Sequence, residues 1–293
     1  MTLATARHKI LPSCGQACWN SLGPVSRIIS DIHGGKKMPI RVGRVPYLEA
    51  EPFYFDMARR GIELRETTPR QLGDALANGE LDAGPAHLTD VFRLENQFEP
   101  VGGFCFSTLS RAVSVCLYSQ YPMEELDGVN IGVSDEDVTA AKLLEVLLRR
   151  KYNLEPGEFA VRSGDVIRPD ETFDAFVLIG NRALRRRRGV RGFAHRFDLG
   201  AEWTQWTNLP FVFSQWVMRN DMEDREKATL EDTLYVGLEE GVDGLYHLNE
   251  PRDDLLMLPR DVVEYVQGIR YYVGRSEQQA ITRFRELLEG LPG

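Results

Sequence analysis

The feature that most constrains the fold is an alternation of strand and helix signals that starts at Ile40 and begins again near Val129. Ile40-Arg-Val-Gly-Arg-Val45 reads as a short buried strand, and Pro46, with no amide donor and a fixed φ, ends it. A helix is expected over Tyr54–Arg60 with Gly61 as its stop. Ile62-Glu-Leu-Arg-Glu66 alternates as a strand. Thr68-Pro-Arg-Gln71 places a capping Thr before a first-turn proline, with Gln three residues on, so a helix runs to Asn78-Gly79. Leu81–Gly84 is the next strand, and another helix follows from Asp90. Units of about twenty residues in β-α order predict a mainly parallel sheet.

Ala112–Tyr118 is a longer strand. Val129–Val133, a helix carrying Leu143, Leu144, Val146 and Leu147, and the strand Phe173–Gly180 then repeat the pattern. Phe211–Met218 returns the chain to the first unit, and the remainder from Met222 reads as helical. The expected architecture is α/β, with two lobes and a ligand cleft between them. Residues 38–120 plus 218–293 form the first lobe and 121–217 the second. Residues 1–37 are expected to be a disordered or over-called tail, with Met38 the alternative start.

Composition narrows the function. Hydrophobic residues at 43% and charged residues at 27% are ordinary for a globular protein. A formal charge of −9 argues against a nucleic-acid surface. Arg185–Arg188 is the one strong basic run, and a solvated, mobile loop is expected there rather than a nucleic-acid patch. No apolar run approaches the roughly 18 residues of a membrane span. Residues 1–37 lack the roughly 7–15 apolar residues of a secretory leader, so a cytoplasmic location is expected. Cys14 and Cys18 have no second pair beside them, so no metal site is expected. Cys105 and Cys116 lie in apolar segments and read as buried thiols.

No P-loop, dinucleotide fingerprint, zinc-protease or nucleophile-elbow motif is present, and no cofactor is expected. Polar residues instead recur just after strand ends, where ligands bind in open α/β sheets. They are Arg44, Tyr47 and Glu49; His87; Ser107, Thr108, Arg111 and Ser114; and Ser134, Asp135 and Thr139. Ser134, Asp135 and Thr139 sit at a helix start, where free backbone N–H groups can hold a carboxylate or phosphate. A plain capping role for Ser134 or Asp135 is an equal alternative. The loop after Val45 reads as the first wall of a ligand pocket, with Glu49 its most informative residue. A Glu49–Arg44 pair that only shapes the loop is the alternative.

Several blocks carry a family likeness. Arg41-Val-Gly-Arg-Val-Pro-Tyr-Leu48, Leu76-Ala-Asn-Gly-Glu-Leu-Asp-Ala-Gly84 and Asp198–Phe213, with Trp206-Thr-Asn-Leu-Pro-Phe-Val-Phe213 the most specific part, resemble the menaquinone-pathway chorismate dehydratases. Leu126–Val133, Thr139–Leu144 and Leu178-Ile-Gly180 fit as well, and the likeness spans about Met38 to Leu288. The resemblance implies a type II periplasmic-binding-protein fold used as a cytoplasmic, cofactor-independent lyase. The implied reaction removes water from chorismate to give 3-[(1-carboxyvinyl)oxy]benzoate, in the futalosine route.

The chain also departs from that pattern. The family's Tyr-Leu-Asn carries Glu49 at the Asn position, His87 replaces a serine, and Thr108-Leu-Ser-Arg111 replaces Ser-Asp-Gly-Pro; Ser114 and Thr139 match. A carboxylate ~4 Å from dianionic chorismate costs on the order of 4 kcal/mol at an effective dielectric of 20. Glu49 is therefore neutralised by Arg44, Arg111, His87 or protonation, or the substrate differs. For the implied reaction Glu49 and His87 are the candidate catalytic acid–base pair, with Arg44, Arg111 and the Ser134 helix start the candidates for chorismate's carboxylates. The alternatives are a divergent paralogue acting on another small carboxylate or a cationic molecule, and a non-catalytic solute-binding protein.

Overall fold

Val42 and Gly43 are buried at the start of β1 (Arg41–Arg44), which pairs in parallel on both sides. The computed structural model describes residues 38–134, 138–162 and 173–291, and Pro39–Gly293 forms one compact unit. The expected tail at 1–37, with Cys14 and Cys18, and Asp135 lie outside the described residues.

After β1 come β2 (Glu63–Glu66), α1 (Pro69–Ala77), β3 (Ala83–His87), α2 (Leu88–Leu94) and the long β4 (Phe98–Thr108). The expected capping box opens α1: Gln71 N donates to Thr68 Oγ1 at 3.3 Å, and Thr68 N donates to Gln71 Oε1 at 3.1 Å. The chain then enters β5 (Val115–Ser119), β6 (Ile131–Ser134), α3 (Val138–Val146), β7 (Phe159–Arg162), β8 (Ala175–Ile179), α4 (Gly180–Arg185), β9 (His195–Asp198) and α5 (Leu199–Thr207). It returns through β10 (Phe211–Arg219) to α6 (Asp224–Tyr246), α7 (Pro259–Gln267), β11 (Ile269–Tyr272) and α8 (Arg275–Glu289).

Two sheets result, with orders β11-β4-β10-β3-β1-β2 and β7-β6-β8-β5-β9. Each is mixed rather than mainly parallel. β10 inserts between β3 and β4 and runs antiparallel to both, and β5 runs antiparallel to β8 and β9. The returning strand arrives from the second sheet, so it enters the first against the direction of β3. The chain changes sheets within 109–114 and 208–210, so β5 belongs to the second sheet and β10 to the first.

Three elements differ from expectation. The helix expected over Tyr54–Arg60 is a 3-10 helix over Leu48–Tyr54 followed by turns, because Pro52 denies the α-helical ladder a donor. β4 was masked by Gly102-Gly103, both at positive φ, which break its alternation. Ile269 belongs to β11 and not to a helix.

The 3-10 helix is held down from two sides. Phe53 packs edge-on or tilted against Phe104, Phe106, Trp216 and Tyr271 at 5.3–5.7 Å between ring centres. On its outer side α6 passes so closely that a Cβ on Gly241 would lie 2.5 Å from Pro52 Cα. The first crossing between sheets is also tightly fixed. Val113 has φ +60, costly for a β-branched residue. Asp198 accepts from Ala112 N at 2.9 Å, Val113 N at 2.7 Å and Ala201 N at 3.0 Å, which offsets that cost.

Asp82 performs the matching task in the first sheet. It accepts from Arg41 N, Nε and Nη2 at 2.7–2.9 Å and from Arg219 Nη1 at 3.3 Å, joining β1 to β10. Burial pushes its pKa up, but the Arg41 hydrogen bonds and charge outweigh this and hold it below the usual carboxylate range. A depressed folded pKa gives stability that is present above the unfolded value and lost as pH falls through the folded one. Asp82→Asn should therefore lower the unfolding free energy at pH 7 by about 1.5–3 kcal/mol. In urea titrations that gap should close as pH falls below roughly 4.

Candidate active site

Strand ends from both sheets meet around an enclosed cavity of about 50 Å³. From the first sheet come Tyr47 and Glu49 after β1, His87 at the end of β3, and Ser107 and Thr108 at the end of β4. Ser114 comes from the crossing segment, Thr139 from the first turn of α3, and Ile179-Gly180 from the end of β8. Phe213 and Ser214 of β10 complete the wall, with Ser214 registered opposite His87. Thr108 Oγ1 is buried with no hydrogen-bond partner among the described residues.

The lobes are latched across this cavity. Asn181 Nδ2 donates to Pro46 O at 2.6 Å, and Leu48 N donates to Asn181 Oδ1 at 3.3 Å. A Cβ on Gly180, whose φ is +50, would lie 2.4 Å from the Tyr47 ring, so only glycine allows this contact. On the opposite side the Thr89 and Thr139 hydroxyls meet at 3.0 Å.

Glu49 is held by a partner that the sequence did not reveal. The Tyr265 hydroxyl lies 2.8 Å from Glu49 Oε2 and 3.0 Å from Ser114 Oγ, and Ser114 in turn donates to Ala112 O at 3.2 Å. Burial of the carboxyl is the largest influence on Glu49 and pushes its pKa up; the backbone and Tyr265 hydrogen bonds oppose this, and Glu51 adds to it. Glu51 is paired with Arg252 at 2.8 and 2.9 Å. In the sequence Tyr265 sits among Val262 and Val266 on an apolar helix face. A phenol buried on such a face needs a partner, and that requirement was the available signal.

The cleft therefore gathers Tyr47, Glu49, His87, Ser107, Thr108, Ser114 and Thr139, and leaves other candidates outside. Arg44 points into a separate surface hollow, bonded to Glu66 at 3.1 Å and stacked over Tyr54, so neither the carboxylate-binding role nor the Glu49 pairing is realised. Alternation along β1 turns its side chain away from the cleft. Arg111 is exposed and lines a different hollow with Arg187 and Arg196. Ser134 is buried but lines a separate hollow with Arg70, Lys142 and Glu145. Among the described residues, no lysine or arginine lines the cavity.

The Arg185–Arg188 run is not a free loop. Arg185 Nε donates to Asp254 O at 2.6 Å, and Arg187 Nη2 donates to Leu256 O and Asp261 Oδ2, both at 2.7 Å. Cys105 and Cys116 are buried thiols, as expected, and burial pushes both up to about 12. Among the described residues, no group of three or more His, Cys, Asp and Glu is arranged to hold a metal ion, and no helix is long and apolar enough to cross a membrane.

Two α/β lobes closed over a cavity lined by strand ends are the fold of the periplasmic binding proteins. Solved structures agree. A structural-genomics protein of Archaeoglobus fulgidus matches with a TM-score of 0.66 at 15% identity, over 86% of this chain and 97% of that one. A Candida albicans protein described as having the generic periplasmic binding protein fold matches with a TM-score of 0.53 at 10% identity, over 88% and 92%. Residues 40–290 match the menaquinone biosynthesis family, and the chain belongs to it. The chorismate dehydratase of Thermus thermophilus is 25% identical over 277 residues, covering 87% of this chain and 96% of that protein.

A carboxyl whose folded pKa is raised favours folding at low pH, and that advantage is lost as pH rises through the folded value. Glu49→Gln keeps an acceptor for Tyr265 but removes the charge. It should melt higher than the wild type at pH 8, and the two melting temperatures should converge toward pH 4 in calorimetry.

Proposed function

We propose that this chain is a hydro-lyase of the chorismate dehydratase type, with Glu49 as its general acid and His87 as its base. The observation that carries the reading is the buried carboxyl of Glu49 facing the same cavity as His87. Family membership and the Thermus relative supply the substrate class.

The chemistry fits the residues present. The ring proton of chorismate is acidified by conjugation with the ring carboxylate, and His87 removes it. The electron pair of that C–H bond forms the aromatic double bond as the ring C–OH bond breaks. The departing hydroxide takes the proton of Glu49 and leaves as water. His87 then returns its proton to Glu49, so the enzyme is unchanged. Aromatisation makes the elimination downhill, and the protein supplies positioning, acid–base groups and electrostatics.

Among the described residues no guanidinium lines the cavity, and Ser107, Thr108 and Thr139 are the hydroxyl-bearing residues there that could meet the substrate carboxylates. A neutral Glu49 removes the like-charge cost that an ionised one would impose on a dianion. The same lack of cations supports a second reading, in which the substrate is a smaller or less charged carboxylate than chorismate. The latched cavity is small for either molecule, so binding requires the Asn181 and Thr139 contacts to open.

Incubation of the purified protein with chorismate should release an aromatic acid, detected by ultraviolet absorbance after chromatography. Glu49→Gln and His87→Ala should each lower kcat by roughly 10²–10⁴-fold. An absence of product together with no rise in melting temperature on adding chorismate would remove chorismate as the substrate. A rise in melting temperature without product would favour a binding protein.

A further inference from the structure

Tyr265 is the one hydroxyl on the buried face of α7. Its neighbours there, Val262 and Val266, pack with Leu48, Leu184, Leu245, Leu255 and Met257. Only 4% of its surface is exposed. At the N-terminal end of α7 the Asp261–Arg187 ion pair ties the helix to the second lobe. The phenol reaches Glu49 on the first lobe and Ser114 on the segment that crosses to the second.

A phenol has one proton, and here it has two oxygen neighbours within hydrogen-bond distance. When Glu49 is a carboxylate, Tyr265 donates to Oε2 and the Ser114 hydroxyl turns to the Tyr265 oxygen. When Glu49 is protonated at Oε2, it donates to Tyr265, which donates to Ser114, which donates to Ala112 O. All three hydroxyl-bearing groups are satisfied in either state, with no side chain displaced. We propose that Tyr265 is the positioning residue of this site, keeping Glu49 hydrogen-bonded and aimed in both of its protonation states so that the acid can give up and regain a proton while enclosed. This rests on Glu49 being the general acid.

The groups that face the pair are few. Glu51 lies on the same 3-10 helix, Tyr54 at its end, Tyr271 on β11 and His87 across the cavity. None of these supplies a fixed positive charge. The Tyr265 phenol is the side-chain donor to the carboxylate, and together with a backbone N–H it holds the Glu49 pKa below the value that burial alone would set.

The test uses the full chain and two readouts. Tyr265→Phe should lower kcat on chorismate by roughly 10²-fold and change KM by less than about threefold, since the group acts on the acid and not on binding. In protein labelled with ¹³C at the glutamate carboxyls, with the Glu49 resonance assigned by its loss in Glu49→Gln, that resonance should titrate at higher pH in Tyr265→Phe. If Tyr265→Phe does not fold, Tyr265→3,5-difluorotyrosine, a stronger donor of the same shape, should move the titration down. An unmoved Glu49 titration overturns the proposal, whatever happens to kcat. The carboxyl titration needs no substrate. A wild type that fails to turn over chorismate but shows the shift would thus refute the substrate and leave the positioning role standing.

Discussion

Three backbone N–H groups converge on the Asp198 carboxylate, and the rest of the site depends on that arrangement. The first crossing between sheets must turn sharply enough to place Ser114 in the cleft, and it does so with Val113 at positive φ. An unpaired turn of that kind, half-buried between two sheets, would carry the cost of both strain and unsatisfied donors. Asp198 satisfies Ala112 and Val113 and at the same time caps α5. The crossing, the second sheet and the Trp203 helix are thereby joined at one side chain. Ser114 then meets Tyr265, and Tyr265 meets Glu49. The Glu49 carboxyl is thus connected through hydrogen bonds to the segment that crosses between the sheets.

Much of this architecture is legible from residue patterns alone. The Thr68–Gln71 box, the strand ended by Pro46 and the apolar face of α3 rest on local rules, and the structure keeps them. So does the grouping of Tyr47, Glu49, His87, Ser107, Thr108, Ser114 and Thr139, since residues that follow strand ends converge on one cleft. What was not legible depends on contacts between distant segments. β10 enters the first sheet antiparallel because of where it comes from, and nothing in Phe211–Met218 encodes that direction. The side-chain direction of Arg44 follows from the register of β1, and its partner Glu66 is set by pairing with β2. The tethering of Arg185 and Arg187 depends on carbonyls and a carboxylate more than sixty residues away.

The electrostatics of the cleft follow from the same geometry. With Arg44 and Arg111 turned outward, the described residues give the cavity one carboxyl, one imidazole and several hydroxyls. A buried carboxyl in that setting favours its neutral form. A neutral acid is compatible with an anionic substrate where a carboxylate would repel it. In the proposed reaction, the Glu49 that departs from the family's usual Asn is the group that gives a proton to the leaving hydroxyl.

The most direct measurement is the pH dependence of kcat for chorismate dehydration at saturating substrate. A Glu49 that must be protonated to act predicts a rate that falls as pH rises through its elevated pKa, a limb that disappears in Glu49→Gln together with most of the activity. A rate that climbs to a plateau and stays there at high pH, or a Glu49→Gln enzyme as fast as the wild type, would contradict it.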